Sequence, residues 1–181
     1  SFLSDAVAIP PAHIIKLAQD APSPRVAIAR AGAPLPMLAA FEATQANMMV
    51  PLFTGERADI EAEADKLGWD ISGFEIIDTV GEAEAGAAAA LACGEGRADV
   101  LMKGQLHTDA FMRAAVSRDA GLRTGKRFVH IFHITTPDGT KSITISDAAV
   151  NVNPNLDTRK DATQEVVDLL HKIGNPRPKV A

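Results

Sequence analysis

Short apolar runs alternate with segments of helical period through the first part of the chain. Arg25-Val-Ala-Ile-Ala-Arg30 reads as a strand, and Gly32-Ala-Pro leads into a helix over about Pro34–Asn47. Met49-Val-Pro-Leu-Phe-Thr54 is a second strand, closed by Gly55. Polar residues dominate about Arg57–Leu67 except at Ile60, Ala64 and Leu67, which share one helical face. Phe74-Glu-Ile-Ile-Asp78 and Asp99–Met102 supply further strands, separated by the Ala-rich helix Glu82–Cys93. Strands that alternate with helices pair in parallel, because each helix carries the chain back along the sheet. The expected fold is therefore α/β: a three-layer, mostly parallel sheet with helices on both faces, plus part of a second α/β domain.

That second part begins where the pattern changes, after Gly125. Arg127-Phe-Val-His-Ile-Phe-His-Ile134 and Lys141-Ser-Ile-Thr-Ile-Ser146 are strand-like runs, joined across Pro137-Asp138-Gly139-Thr140 by an Asp-Gly hairpin signal. Asp157 or Thr158 can cap a helix to about Ile173, ended by Gly174 and Pro176. Val166, Leu169, Leu170 and Ile173 supply its apolar face, and Pro178-Lys-Val-Ala181 reads as the start of a buried strand. The expected organisation is a linker or N-terminal helix at 1–24, a first α/β domain at 25–124 and an incomplete second one at 125–181. The boundary is placed near Gly121–Gly125.

Ligands of open α/β sheets gather beyond the carboxyl ends of the strands. The stretch Ala98–Arg113 therefore carries the most chemistry: a buried strand ending in Lys103-Gly104, a polar loop, and a helix opening near Thr108-Asp109. It aims free backbone N–H groups, the positive end of a helix dipole and two cations at one point. Phosphate or a phosphorylated cofactor is the expected ligand. Gly104 lets backbone approach it closely, Lys103 supplies a point charge, and Arg113 can fork two N–H bonds onto phosphate oxygens. A solvated Lys103, a capping Thr108 and a surface Arg113 fit the same spacing equally well. His107 is either a structural histidine or a contact to a carbonyl or phosphate.

The run Ser146-Asp147-Ala-Ala-Val-Asn151 also leaves a strand directly. Asp147 can orient a cation or a ligand hydroxyl, and Asn151 offers both a donor and an acceptor. An Asx-turn network accounts for the same residues as well. His130 and His133, three apart in a strand, face opposite sides and cannot form a two-His site from that strand alone. His13 and His171 have no neighbouring ligands in the sequence, so no metal is assigned.

Composition narrows the function classes. The 181 residues carry a net charge of -5, which offers no basic field for general nucleic-acid binding, although dispersed Lys and Arg allow a local anion pocket. The single Cys93 excludes an internal disulfide framework and a Cys-rich zinc site. In its Ala-rich run it reads as a small buried side chain, with a reactive thiol the alternative. No apolar run approaches the roughly 20 residues of a membrane span, and the N-terminus has no basic leader. A soluble, cytoplasmic protein is expected. Dinucleotide-binding Gly-x-Gly-x-x-Gly, the ATPase phosphate loop and the Gly-x-Ser-x-Gly nucleophile elbow are all absent from the sequence.

One ordered set of residues resembles a known family. Asp99-Val-Leu-Met-Lys-Gly104, Thr108, Phe111, Arg113, Gly121-Leu-Arg, Gly125 and Ser146-Asp-Ala-Ala-Val-Asn151-x-x-Pro154 are similar to phosphate acetyltransferases and phosphate butyryltransferases. The resemblance runs from about Arg25 to the end and is sharpest over Asp99–Pro154. It implies transfer of an acetyl or short acyl group between coenzyme A and inorganic phosphate, with coenzyme A as substrate and no covalently bound cofactor. It further implies two α/β domains with the active site in the cleft between them, and a homodimer.

By the same resemblance Arg113 contacts phosphate or the acyl phosphate, and Lys103, Gly104 and Thr108 match the neighbouring loop. The His107–Asp109 spacing looks more like the butyryltransferase branch. Family members are longer, and a Ser and an Asp that handle the thiol match nothing in Ser1–Ala181. The resemblance thus makes this the N-terminal part of a longer enzyme, with little activity alone. Ser1–Pro24 has no clear counterpart in the family and is read as a linker from a preceding domain, as in members fused behind a hydratase-like module. The other classes open to the sequence are a non-catalytic anion-binding or regulatory domain and an isocitrate-dehydrogenase-like oxidoreductase.

Overall fold

The structure, a computed structural model, describes residues 10–136, 140–147 and 150–181. The chain divides into two units, Ala21–Arg123 on one hand and Ser1–Asp20 with Thr124–Ala181 on the other. Its elements begin with α1 (Ala12–Asp20), β1 (Arg25–Ala29), α2 (Pro34–Gln45), β2 (Val50–Gly55), α3 (Arg57–Lys66) and β3 (Ile76–Asp78). They continue with α4 (Gly81–Gly94), β4 (Val100–Lys103), α5 (Thr108–Ala115), β5 (Phe132–Thr135), β6 (Ser142–Ile145) and α6 (Leu156–Lys172).

In the unit Ala21–Arg123 the strands form one parallel sheet in the order β3-β2-β1-β4. Strand β1 is central and covered on both faces, which is why its sequence is continuously apolar rather than alternating. The pleat sends Val26 and Ile28 to one face, where they pack with Phe53 against Met37 and Ala40 of α2 and Ile60 and Ala64 of α3. Trp69 closes this layer, its ring 5.7 Å from Phe53 and 5.5 Å from Phe41. The opposite face, Ala27, Ala29 and Leu52, receives Ala89 and Ala92 of α4. Small side chains let α4 sit close to the sheet and let α5 sit close to α4. A Cβ added at Gly86 would stand 3.3 Å from Ala114 Cβ.

Helix ends follow one device. After α2, α3, α4 and α6 the residue past the cap donates to a carbonyl in the last turn, and the next N–H reaches back one residue further. In α3 the pair is Gly68 N to Asp65 O and Trp69 N to Ala64 O, both 3.0 Å, so the turn that ends the helix also delivers Trp69 to the core.

The other unit contains α1, α6 and an antiparallel ribbon pairing Phe132 with Ile145 and Ile134 with Ile143. Those four residues share one face of the ribbon and are exposed, while His133 and Thr144 lie on its half-buried face. The Asp-Gly turn at Pro137–Gly139, the first nine residues and Ala148–Ala149 lie outside the described residues.

Four local expectations are revised. The strand read as buried, β4, is the sheet edge, and Val100 is 45% exposed because only β1 covers its flank. The run from Arg127 becomes strand only at Phe132, where β6 offers partners. The cap of α6 is Asn155, whose Oδ1 takes Thr158 N and Thr158 Oγ1 at 2.9 Å each, not Asp157 or Thr158. Pro178–Ala181 has no ladder partner among the described residues and is not strand, with Val180 exposed.

Candidate anion site at the strand ends

The parallel register brings Ala29, Gly55, Asp78 and Lys103 to the same edge of the sheet. From that edge the loop after β4 turns across the end of β1. Gly104 N donates to Ala29 O and Gln105 N to Arg30 O, both at 2.9 Å. A Cβ at Gly104 would lie 2.5 Å from each of those carbonyl oxygens, so the crossing admits glycine alone. Leu106 is buried and anchors the loop on α4 and the alanine face of the sheet.

His107 is the N-cap of α5 in extended conformation and makes no side-chain cap bond. Thr108 is the first helical residue, which rules out the capping role that its spacing also fitted. Lys103 and Thr108 therefore bracket one short loop that holds Gly104 and His107. Contrary to the expectation of free loop donors, the N–H groups of Gly104, Gln105, Leu106 and His107 all donate to acceptors of the protein itself. Arg113 lies in the last turn of α5, about 7.5 Å along the axis from Thr108. Its side chain runs back toward the first turn, where Nη2 meets Asp109 Oδ2 at 3.4 Å; both side chains are largely exposed.

Three residues not singled out by the sequence pattern complete this edge. Arg30 follows β1, Glu56 follows β2, and Glu82 opens α4 after β3. The Arg30 guanidinium spans both carboxylates, Nε to Glu56 Oε2 at 3.4 Å and Nη1 to Glu82 Oε1 at 3.5 Å. Arg30 Nη1 also donates to Gln105 O at 3.4 Å, tying the cluster to the loop. Glu82 takes the backbone N–H of His107 at 3.1 Å and faces His107 Nδ1 with both oxygens at 2.9 Å.

The charges follow from these bonds. Glu82 is held below the ordinary carboxylate range, first by the ring of His107 and then by its backbone N–H. His107 is raised, mainly by Glu82 and further by Asp109, while burial and Lys103 oppose. Glu56 is lowered chiefly by the N–H of Gly81, which donates at 2.9 Å, with Arg30 assisting. Arg30 and Glu56 stand directly after strands, as Lys103 and Gly104 do, so the strand-end rule applied to β4 would have found them.

In the other unit Asp147 and Asn151 form a self-contained network. Asp147 Oδ1 accepts from His130 N at 3.0 Å and Val150 N at 3.4 Å, and Oδ2 accepts from Asn151 N at 2.9 Å and from Asn151 Nδ2. Asn151 Nδ2 also donates to Phe128 O at 3.0 Å. Burial opposes ionisation of Asp147, but these donors outweigh it and hold the carboxyl low. Cys93 is half-buried against the alanine layer, and burial pushes its thiol up, away from the reactive form. Among the described residues no group of three His, Cys, Asp or Glu could hold a metal, and no helix is long and apolar enough to cross a membrane.

The unit Ala21–Arg123 is thus a parallel α/β sheet with a glycine-crossed loop at its strand ends, the place where open α/β sheets gather their ligands. Residues 82–181 match the family model described as Phosphate acetyl/butaryl transferase, and the chain belongs to that family. It is 36% identical over 142 residues to a phosphate acetyltransferase of Rhizobium meliloti, covering 78% of this chain and 45% of that protein. It is 32% identical over 130 residues to a phosphate butyryltransferase of Clostridium acetobutylicum, covering 72% and 43%. The EutD phosphotransacetylase from Staphylococcus aureus shares its fold with a TM-score of 0.72 at 18% identity, over 94% of this chain and 59% of that one. The chain thus spans less than half the length of these two enzymes from Rhizobium and Clostridium. The regulatory and oxidoreductase readings gain no support from these comparisons.

Proposed function

We propose that this chain carries the phosphate side of an acyl transfer between coenzyme A and inorganic phosphate, of the phosphate acetyltransferase or phosphate butyryltransferase type. The observation that carries the reading is the Lys103–Thr108 loop: a crossing open only to glycine, inside the segment that matches the family.

Two anions repel as they approach, so the task at this edge is to hold phosphate against a thioester. Lys103, the first-turn N–H groups of α5 and Arg113 neutralise phosphate, and a phosphate oxygen then attacks the thioester carbonyl. The carbonyl carbon gains the phosphate oxygen and loses the coenzyme A thiolate, giving the acyl phosphate. Catalysis is positioning and electrostatic stabilisation, with no covalent enzyme intermediate. In this proposal Arg113 is the catalytic contact, and Lys103, Gly104, His107 and Thr108 bind phosphate. Asp147 and Asn151 enter as substrate-binding residues of the other unit, held in place by their bonds to Phe128, His130 and Val150. Coenzyme A is a substrate, not a bound cofactor. A two-domain, homodimeric, cytoplasmic enzyme completes the reading.

The test is phosphate binding followed by amide chemical shifts of Gly104–Asp109. Arg113→Ala should weaken binding by about tenfold or more, the loss of a charge-assisted bond pair, without changing stability. Arg113 is exposed and pairs only with Asp109 through its described salt bridge, so the fold has no need of it. Unchanged affinity would reject its role.

A further inference from the structure

We propose that Glu82 is a positioning residue that holds His107 as an imidazolium beside the loop, with Arg30 and Glu56 bracing it, so that phosphate affinity falls as His107 loses its proton. The inference rests on reading the loop as the phosphate side.

The geometry is a continuous chain of contacts across the strand ends. Glu56 meets Arg30, Arg30 meets Glu82, and Glu82 meets both the backbone N–H and the ring of His107. The N-caps of α3 and α5, the first turn of α4 and the end of the central strand contribute, and every partner is distant in sequence. The carboxylate of Glu82 therefore fixes the His107 backbone, which begins α5, and the orientation of its ring through Nδ1. That leaves Nε2 as the ring's other polar atom.

Charge then decides the ring's state. Two carboxylates face one guanidinium in this cluster. With neutral imidazole the group carries one net negative charge next to a loop that must accept an anion; with imidazolium it is neutral. The other charges facing the ring are Asp109 on α5, which favours the proton, and Lys103 on β4, which disfavours it. A bound phosphate adds negative charge and favours the proton further. Linkage makes this reciprocal: whatever phosphate does to the proton affinity of His107, the proton does to phosphate affinity. The direction is set: the ring is charged at low pH and loses its charge as pH rises through its elevated midpoint, so the binding advantage is lost on the alkaline side.

The experiment follows the Cε1–H signal of His107 through a pH titration, with and without inorganic phosphate, in the wild-type chain and in Glu82→Gln. Gln is isosteric and keeps an acceptor for the His107 N–H while removing the charge. The expected result is an upward move of the His107 midpoint when phosphate binds and a downward move in Glu82→Gln. Phosphate affinity should fall as pH rises through the His107 midpoint, and in Glu82→Gln that fall should come at the lower pH of the variant's own midpoint. If phosphate shifts the loop amides but leaves the His107 midpoint in place, the inference fails while the phosphate reading stands. A shift of the midpoint by phosphate that Glu82→Gln does not alter also overturns the role of Glu82. If phosphate binds at no pH, the phosphate reading itself fails and takes this inference with it. Should Glu82→Gln not fold, Glu82→Asp replaces it: the shorter carboxylate draws away from Nδ1, so a lower His107 midpoint is expected and an unchanged one overturns the role of Glu82.

Discussion

At Gly104 a single methyl group separates a passable crossing from a blocked one. A side-chain carbon at this position meets two backbone oxygens at 2.5 Å, and neither belongs to a flexible side chain. Ala29 and Arg30 cannot retreat without disturbing the ladder to β2, where Thr54 Oγ1 also takes the Arg30 N–H at 3.4 Å. Gly104→Ala should therefore cost about 1–3 kcal/mol, the usual penalty for forcing an extra carbon into a packed site. Urea denaturation measures it. The same displacement should weaken phosphate binding, because Lys103 and the start of α5 move with Gly104. A stable variant with wild-type binding would show that the loop has slack that this geometry does not display.

At the scale of elements, β4 is held to β1 at its start by a clamp outside the ladder. Asp99 Oδ2 accepts from Arg25 N at 2.9 Å and Nε at 3.1 Å, and Oδ1 accepts from Nη2 at 2.7 Å. The Arg25 side chain, then its backbone N–H, hold the Asp99 carboxyl down to about 2. A depressed carboxyl contributes stability that is present above its ordinary value and lost as pH falls through the depressed one. Asp99→Asn should therefore be less stable than wild type at neutral pH, and the gap should close as pH falls from about 4 toward 2. Denaturant midpoints across that range check it; a gap independent of pH would assign the effect to shape rather than charge.

Legibility in the sequence also divides at this scale. The alternation of strands and helices is readable because every strand of the sheet is short and largely apolar, with a glycine at its end or within three residues of it. The strand order β3-β2-β1-β4 is not, since periodicity carries no information on which strand lies beside which. Hence β4 reads as buried though it is an edge. For the same reason Arg30, Glu56 and Glu82 do not stand out as a cluster: β1 brings residues 26 and 52 positions apart to one guanidinium. The loop Lys103–Thr108 is readable because its chemistry is local. The Asn155 cap is not, because Asn155, Asp157 and Thr158 all have the right side chain and only backbone geometry selects among them.

For the whole molecule the contrast lies between two units with unequal interiors. The fully buried large side chains, Phe53, Ile28, Met37 and Ile60, all belong to Ala21–Arg123. In the other unit the buried residues among those described are Thr158, Ala162 and Leu170, and the apolar face of the β5–β6 ribbon is open. A two-stranded ribbon is marginal by itself, and open apolar side chains add no burial to hold it. Native-state hydrogen exchange should therefore show the amides of β1 and β2 opening only with the largest free energy, and those of β5 and β6 opening at a much lower one. Phe53→Ala should lower the first class by about 3–5 kcal/mol, because it empties the centre of the aromatic layer. Ile143→Lys should leave that class within about 0.5 kcal/mol of wild type, since the side chain it replaces is 60% exposed. Equal protection of β1 and β5 would overturn this division and require that the open face of the ribbon be covered in solution.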